Sequence, residues 1–348
     1  MNQYIKYALL FVVLLIISKY YKKYQDYELQ TNQLHDYDMI KKYLLEESSL
    51  GKSDKPILWV HIEFERNARW WSSFCSRSSE CLNQPYKHLT IKSIIDSCGD
   101  SFNICLIDDK TFNNVIPGWT TKVAGMPSPL RPHLRELAMA KLLYCYGGMT
   151  IPSSFLCFKD VISLYNKALG CGAISMFSGE MRCMTVDSSY SDFAPSHKVM
   201  GCHKDSETMQ EYVKYLENQV SIDYTNEMDF VGYTDRYLYE MAKSNKIMTL
   251  DASYFGVQNK EGDEVYLEDI LADNESFALH KNAYGLYIPD DEILRRTKYQ
   301  WFARLNPEQV LSSDTVVGKC MLELLTIQTD LIEVEVDNVE VYEMTQPE

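Results

Sequence analysis

The sequence predicts an α/β protein with a mixed, largely parallel sheet and flanking helices, preceded by an N-terminal transmembrane helix. Three observations carry this. Two short apolar runs, residues 57–62 (ILWVHI) and 102–107 (FNICLI), have the length of buried strands. Segments with helical apolar spacing alternate with them, and one stops at Gly147-Gly148. Ahead of both lies an unbroken apolar run over residues 8–17.

That first run extends over residues 4–21 with only Lys6 and Lys19 charged. At about 1.5 Å per residue it reaches ~27 Å, close to the ~30 Å hydrocarbon core of a bilayer. Tyr4, Tyr7, Tyr20 and Tyr21 suit the membrane interface. The residues SKYYKK follow, where a cleaved signal would have small ones. Residues 1–21 are therefore expected to be an uncleaved anchor, making this a single-pass membrane protein. Lys19, Lys22 and Lys23 follow the span and Lys6 precedes it, a small bias towards a cytosolic body that leaves orientation open. Residues 22–54 are polar, Tyr-rich and helix-prone, and read as a stem. Gly51, Ser53 and Pro56 supply its linker.

The globular body is expected over 55–327. Pro85 opens a helix ending near Cys98-Gly99, with Leu89, Lys92 (by its stem), Ile94 and Ile95 inward. Pro132 opens another, with Leu134, Leu137, Ala138, Leu142 and Cys145 on one face. Residues 149–151 read as a strand, 161–169 as a helix and 172–177 as a strand. Further helices are expected near 206–218, 234–244 and 314–327. Residues 294–305 have helical spacing and are expected to pack through Trp301 and Phe302. The remaining residues, 328–348, form an acidic tail. Its alternation over 332–336 suits an exposed strand able to add to the sheet of a partner protein through Ile332 to Tyr342, the alternative being a disordered acidic tail.

Composition narrows the function. The chain of 348 residues has 34 Lys+Arg against 49 Asp+Glu, a net charge of −15. An acidic excess opposes nucleic-acid binding, which needs Lys and Arg to neutralise phosphates. Seven of the acids fall between Asp330 and Glu348, so much of the excess belongs to the tail. Ten cysteines form no C-x-x-C pair, and read as buried free thiols rather than a zinc or disulfide framework.

In an open α/β sheet ligands gather at the carboxyl ends of the strands. Two segments fall there, Asp108-Asp109 and Pro152-Ser153-Ser154. The segment from Leu142 to Ser154 (LLYCYGGMTIPSS) is similar to the helix–Gly-Gly–strand–DXD region of glycosyltransferase family 32. The resemblance implies a GT-A-like (Rossmann-like) nucleotide-sugar fold over about residues 55–170, with the ILWVHI and FNICLIDD strands at its start. In that family the DXD carboxylates hold Mn²⁺ or Mg²⁺ on the diphosphate. Aligned on Gly147 and Gly148, the two DXD acids fall on Pro152 and Ser154. The family's helical Asp falls on Glu136, and its helical Arg on Met139, with Arg135 one turn away. No metal is therefore expected at this site, since neither Pro nor a neutral Ser is a useful ligand. A second resemblance covers WVHIEFERNARWW, YGGMTIPSSF and GLYIPDDEILRRTKYQWFARL. It is to an uncharacterised group of membrane-anchored proteins of giant DNA viruses, which implies a host endomembrane or viral membrane.

The candidate nucleotide-sugar residues are His61, Arg66, Arg69, Asp108, Asp109, Arg135, Glu136, Gly147, Gly148, Ser153, Ser154 and His280, with Asp229 as the candidate catalytic acid. Arg66, Arg69 and Arg77 beside Trp70 and Trp71 suit a diphosphate and a ring, or a buried interface. His280 matches by position a late histidine of GT-A-type enzymes. Asp108 and Asp109 serve either a ligand or a strand-end turn. His197, Cys202 and His203 are metal-ligand types without zinc spacing. Two functions follow as expectations. One is a membrane-anchored glycosyltransferase working without a DXD-bound metal. The other is a non-catalytic scaffold of the same fold, kept as a membrane or virion component.

Overall fold

The computed structural model describes residues 55–63, 84–127, 130–170, 174–182, 192–222, 233–273 and 277–337. The expected anchor and stem, 1–54, lie outside the described residues. Among the described residues no helix is long and apolar enough to cross a membrane.

The elements run β1 (Ile57–His61), α1 (Lys87–Cys98), β2 (Asn103–Ile107), α2 (Phe112–Val115), α3 (Leu130–Tyr146), β3 (Gly148–Thr150), β4 (Phe155–Cys157), α4 (Ile162–Leu169), β5 (Met176–Arg182), β6 (Phe193–Cys202), α5 (Glu207–Ser221), α6 (Tyr233–Lys243), β7 (Met248–Leu250), α7 (Leu267–Ile270), β8 (Gly285–Tyr287), α8 (Asp290–Arg295), α9 (Pro307–Leu311) and α10 (Val316–Asp337). Six strands form the central sheet in the order β2-β1-β3-β6-β5-β7. The strands are parallel except β6, which runs antiparallel to both neighbours. The expected mixed α/β architecture is observed.

Local chemistry explains the elements that matter for the site. The interiors of β1 and β2 are buried, as continuous apolar runs require when helices cover both faces of a sheet. Helix α1 buries Ile91, Ile94 and Cys98, one stripe at i, i+3 and i+7, whereas Lys92 points to solvent. Helix α3 buries Leu134, Leu137, Ala138 and Leu142 and ends at Gly147. Gly147 and Gly148 have φ of +73° and +96°, which L side chains rarely adopt. A Cβ on Gly148 would fall 2.2 Å from the Ile57 carbonyl oxygen, so glycine is what lets β3 lie against β1. Trp59 Nε1 donates to the Gly147 carbonyl at 3.0 Å and pins the turn.

A second core joins the start of α1 to the two-stranded β4–β8 sheet and the C-terminal helices. It is built from Tyr86, Leu156, Leu286, Ile288, Phe302 and Val317, among others.

Four expectations are corrected. The strand expected at 172–177 runs instead over Met176–Arg182, paired with β6 and β7. Strand β6 has no counterpart in the sequence reading, because Pro195, Ser196, His197 and Lys198 interrupt its alternation. The helix expected over 294–305 stops at Arg295: Arg296 is extended, and only a short turn at Phe302–Arg304 follows. Phe302 is buried but Trp301 is 44% exposed. The exposed strand expected at 332–336 is instead the end of α10. No Gly or Pro follows Gly318 in that helix, and extending a formed helix is cheaper than starting a strand. Residues 338–348 lie outside the described residues.

Candidate functional site

The carboxyl ends of β1 and β2 bring His61, Glu63 and Asp109 against Arg135 of α3. Arg135 Nε and Nη2 donate to Asp109 Oδ1 and Oδ2, each at 2.9 Å. His61 Nε2 donates to Asp109 Oδ1 at 3.1 Å, and Arg135 Nη1 lies 3.3 Å from Glu63 Oε2. The His61 ring stacks on Phe112, centroids 5.1 Å apart. Burial alone would raise the Asp109 pKa; the hydrogen bonds from His61 and Arg135 outweigh it and hold the carboxyl at about 2. Asp108 instead caps the following turn, its Oδ1 accepting from the Lys110 and Thr111 backbone N–H groups and from the Thr111 hydroxyl.

Glu136, the next residue of α3, points into a second polar cluster. Tyr212 of α5 donates to its Oε1 at 2.5 Å. His133 Nδ1 lies 3.8 Å from Oε2, and His197 Nδ1 of β6 lies 3.7 Å from Oε1. On the far side His197 Nδ1 is 3.6 Å from Asp235 Oδ1 of α6. Burial raises the Glu136 pKa, with His197 and Tyr212 opposing. Burial lowers His133 to about 4, and the charge on His197 adds to this. Burial would lower His197 too, but Glu136 and Asp235 outweigh it and lift it to about 9.

A bulge delivers His197 to this cluster. Ser178 pairs with Met200, whereas its neighbour Gly179 pairs with Ser196. His197, Lys198 and Val199 thus stand opposite no residue of β5. A bulge re-aims side chains that regular pleating would alternate across the sheet.

Lys198 enters a third cluster, beside Tyr287 and 3.5 Å from Asp291. Burial would lower its pKa, but Asp291 and Tyr287 outweigh it and raise it. Lys87 pairs with Asp290, and the Ser154 hydroxyl reaches Asp290 Oδ1 at 3.3 Å. Arg182 pairs with Glu292. Thr90 donates to the Ser153 carbonyl at 2.6 Å, and the Ile288 N–H to the Ser154 carbonyl at 3.2 Å. Ser153 and Ser154 are buried.

The segment after β3 does not fit a divalent ion. Pro152, Ser153 and Ser154 offer no carboxylate, and the acid beside them, Asp290, is engaged by Lys87. Among the described residues no group of three His, Cys, Asp or Glu side chains has the arrangement of a metal site.

His280 is not brought to these clusters by any contact described; its Nδ1 accepts from the Asn282 N–H at 3.2 Å. Arg66, Arg69 and Asp229 lie outside the described residues. Sequence reasoning missed His133, Asp235, Lys87, Lys198, Tyr287 and Asp290-Asp291-Glu292. The last three form an acidic run directly after the GLYIP strand, a signal that was available. The others are polar residues on helices, on a bulge and, for Tyr287, at the end of β8, which no local pattern marks. A separate cleft of about 370 Å³ opens at the carboxyl ends of β5 and β7, between Glu180, Phe193, Pro195, Tyr239 and Asp251.

No protein family matches the sequence, and no curated protein matches it. Solved structures show slight similarity. The glycosyltransferase GlyE of Streptococcus pneumoniae TIGR4 is 10% identical, with TM-score 0.36, covering 79% of this chain and 64% of its own. Mouse xyloside xylosyltransferase 1, apo form, is 9% identical with TM-score 0.33, covering 57% of this chain and 86% of its own. The 4-diphosphocytidyl-2C-methyl-D-erythritol synthase of Anaerococcus prevotii DSM 20548 is 11% identical with TM-score 0.27, covering 61% and 92%.

Proposed function

We propose that the body is a glycosyltransferase-like domain that takes a nucleotide sugar at the carboxyl edge of its sheet and transfers the sugar without an ion held by DXD carboxylates. One observation carries this reading. The segment resembling a sugar-binding region ends at the carboxyl end of β3, which lies beside β1, and the chain leaves β1 for β2 on one side and comes back to β3 on the other. That reversal of strand order is a topological switch point, where α/β sheets open a crevice for ligands. In this reading His61 and Asp109 face the nucleoside, and Arg135 positions Asp109. Arg66 and Arg69 take the charge of the leaving diphosphate, as guanidinium groups can in place of a metal. Asp229 accepts the acceptor hydroxyl proton as that oxygen attacks the anomeric carbon and the bond to the diphosphate breaks. The cleft beside Glu180 and Tyr239 is the acceptor's way in. Residues 1–21 tether the domain to a membrane.

A second reading, a non-catalytic scaffold on the same fold, is favoured by one specific observation. Lys87, Arg135, Arg182 and Lys198, four cations among the described residues of this edge, are each held by an acid of the chain itself. Calorimetric titration of the full chain with UDP- and GDP-sugars, with and without Mn²⁺, separates the two. Binding without Mn²⁺ is the expected result. Binding only with Mn²⁺ overturns the metal-free assignment, and no binding to any donor overturns the transferase reading in favour of the scaffold.

A further inference from the structure

Two of the six cysteines among the described residues meet. The Sγ atoms of Cys98 and Cys157 are 3.7 Å apart, and both residues are fully buried. Cys98 ends α1 and Cys157 ends β4. Hydrogen bonds on either side fix their spacing. The Cys157 N–H donates to Ser93 Oγ at 2.9 Å, and Ser97 Oγ donates to the Cys157 carbonyl at 3.3 Å. Closing the sulfurs to the ~2.05 Å of a disulfide needs a movement of roughly 1.7 Å, within reach of side-chain rotation. The hydrogen bond between the sulfurs favours thiolate at Cys98 and opposes it at Cys157, so the two thiols are unequal partners.

We propose that Cys98 and Cys157 are a redox pair that closes to a disulfide by exchange with a small-molecule disulfide of the glutathione type. Cys98, deprotonated, attacks one sulfur of glutathione disulfide. A mixed disulfide forms, the glutathione S–S bond breaks, and the departing glutathione thiolate takes up a proton. Cys157, deprotonated in turn, attacks the Cys98 sulfur and expels the second glutathione. Two cysteines are oxidised and one glutathione disulfide is reduced to two thiols. Access runs through the end of α1, where Gly99 and Asp100 are exposed and the last turn can open. The bond would tie α1 to β4 directly behind the candidate site. The same helix carries Lys87, which holds Asp290, and Thr90, which holds the Ser153 carbonyl.

The test equilibrates the full chain in glutathione buffers from reducing to oxidising. The samples are then acid-quenched, unfolded, alkylated with N-ethylmaleimide and mapped by mass spectrometry. The expected product is a peptide pair joined through Cys98 and Cys157, two hydrogens lighter than the separate peptides and released by dithiothreitol. Melting of the oxidised chain should rise by about 5–10 °C over the reduced chain. In Cys98→Ser and Cys157→Ser, each compared with its own reduced form, that rise should vanish. Alkylation of both cysteines at every buffer ratio overturns the proposal. So does glutathione retained on Cys98, or a bond from either residue to a different cysteine.

Discussion

Arg135 grips Asp109 with two parallel N–H···O bonds of equal length, 2.9 Å. The fork matches the carboxylate plane, and His61 adds a third bond to the same group. The guanidinium also reaches Glu63, so one arginine gathers acids from the ends of β1 and β2.

Replacing Arg135 by Met leaves Asp109 charged and buried without its main partner. Breaking such a pair costs about 3 kcal/mol. Urea denaturation should show that loss for Arg135→Met and a smaller one for Arg135→Met combined with Asp109→Asn, which removes the orphaned charge. Equal losses in both would show that the pair is not what Arg135 contributes.

Stability should fall on both sides of neutrality through neighbouring histidines. His197, lifted to about 9, gives stability that is complete below its unfolded value of about 6.5 and is lost as pH rises towards 9. His133, lowered to about 4, works the other way: the unfolded chain binds a proton below about 6.5 that the folded chain refuses until about 4. Asp109 adds to the acid loss below about 4, since its folded pKa is about 2. About a third of the His197 side chain is exposed, which blunts its share. Melting curves against pH should lose part of the alkaline fall in His197→Gln and part of the acid fall in His133→Gln. Unchanged profiles would contradict these assignments.

Gly148→Ala should cost about 3 kcal/mol or more, from the positive φ and the collision with the Ile57 carbonyl. Gly125→Ala, where an added Cβ meets nothing within 4 Å, is the control and should change the denaturation midpoint little.

Restoring an acid at the position that resembles DXD should fail. Ser154 is buried beside Asp290, so Ser154→Asp sets like charges together and should cost about 2 kcal/mol, whereas Ser154→Ala should cost about 1 kcal/mol. Thermal melts with and without MnCl₂ check both points. A large rise with Mn²⁺ in Ser154→Asp would show that a cation site lies ready there.

Strands β1, β2 and β3 and the Gly-Gly turn were legible because each has a local cause: an uninterrupted apolar run, or a backbone only glycine adopts. Arg135 and Glu136 were legible as site candidates, because the helix carrying them leads into that turn. The cluster around His197 was not, because it depends on three residues that leave the register of β6. Nor were Lys87 and Asp290, which meet across 203 residues of chain. The alternation from Ile332 misled because a two-residue period is only a local preference, and an unbroken helix overrides it.

Arg135 and Glu136 are consecutive on one helix, yet they serve different neighbours: the first faces the ends of β1 and β2, the second the bulge of β6 and, across His197, α6. Successive helical positions are set about 100° apart, so α3 acts as a common axle with two spokes. The two clusters therefore share a single stretch of helical backbone, with no loop between them.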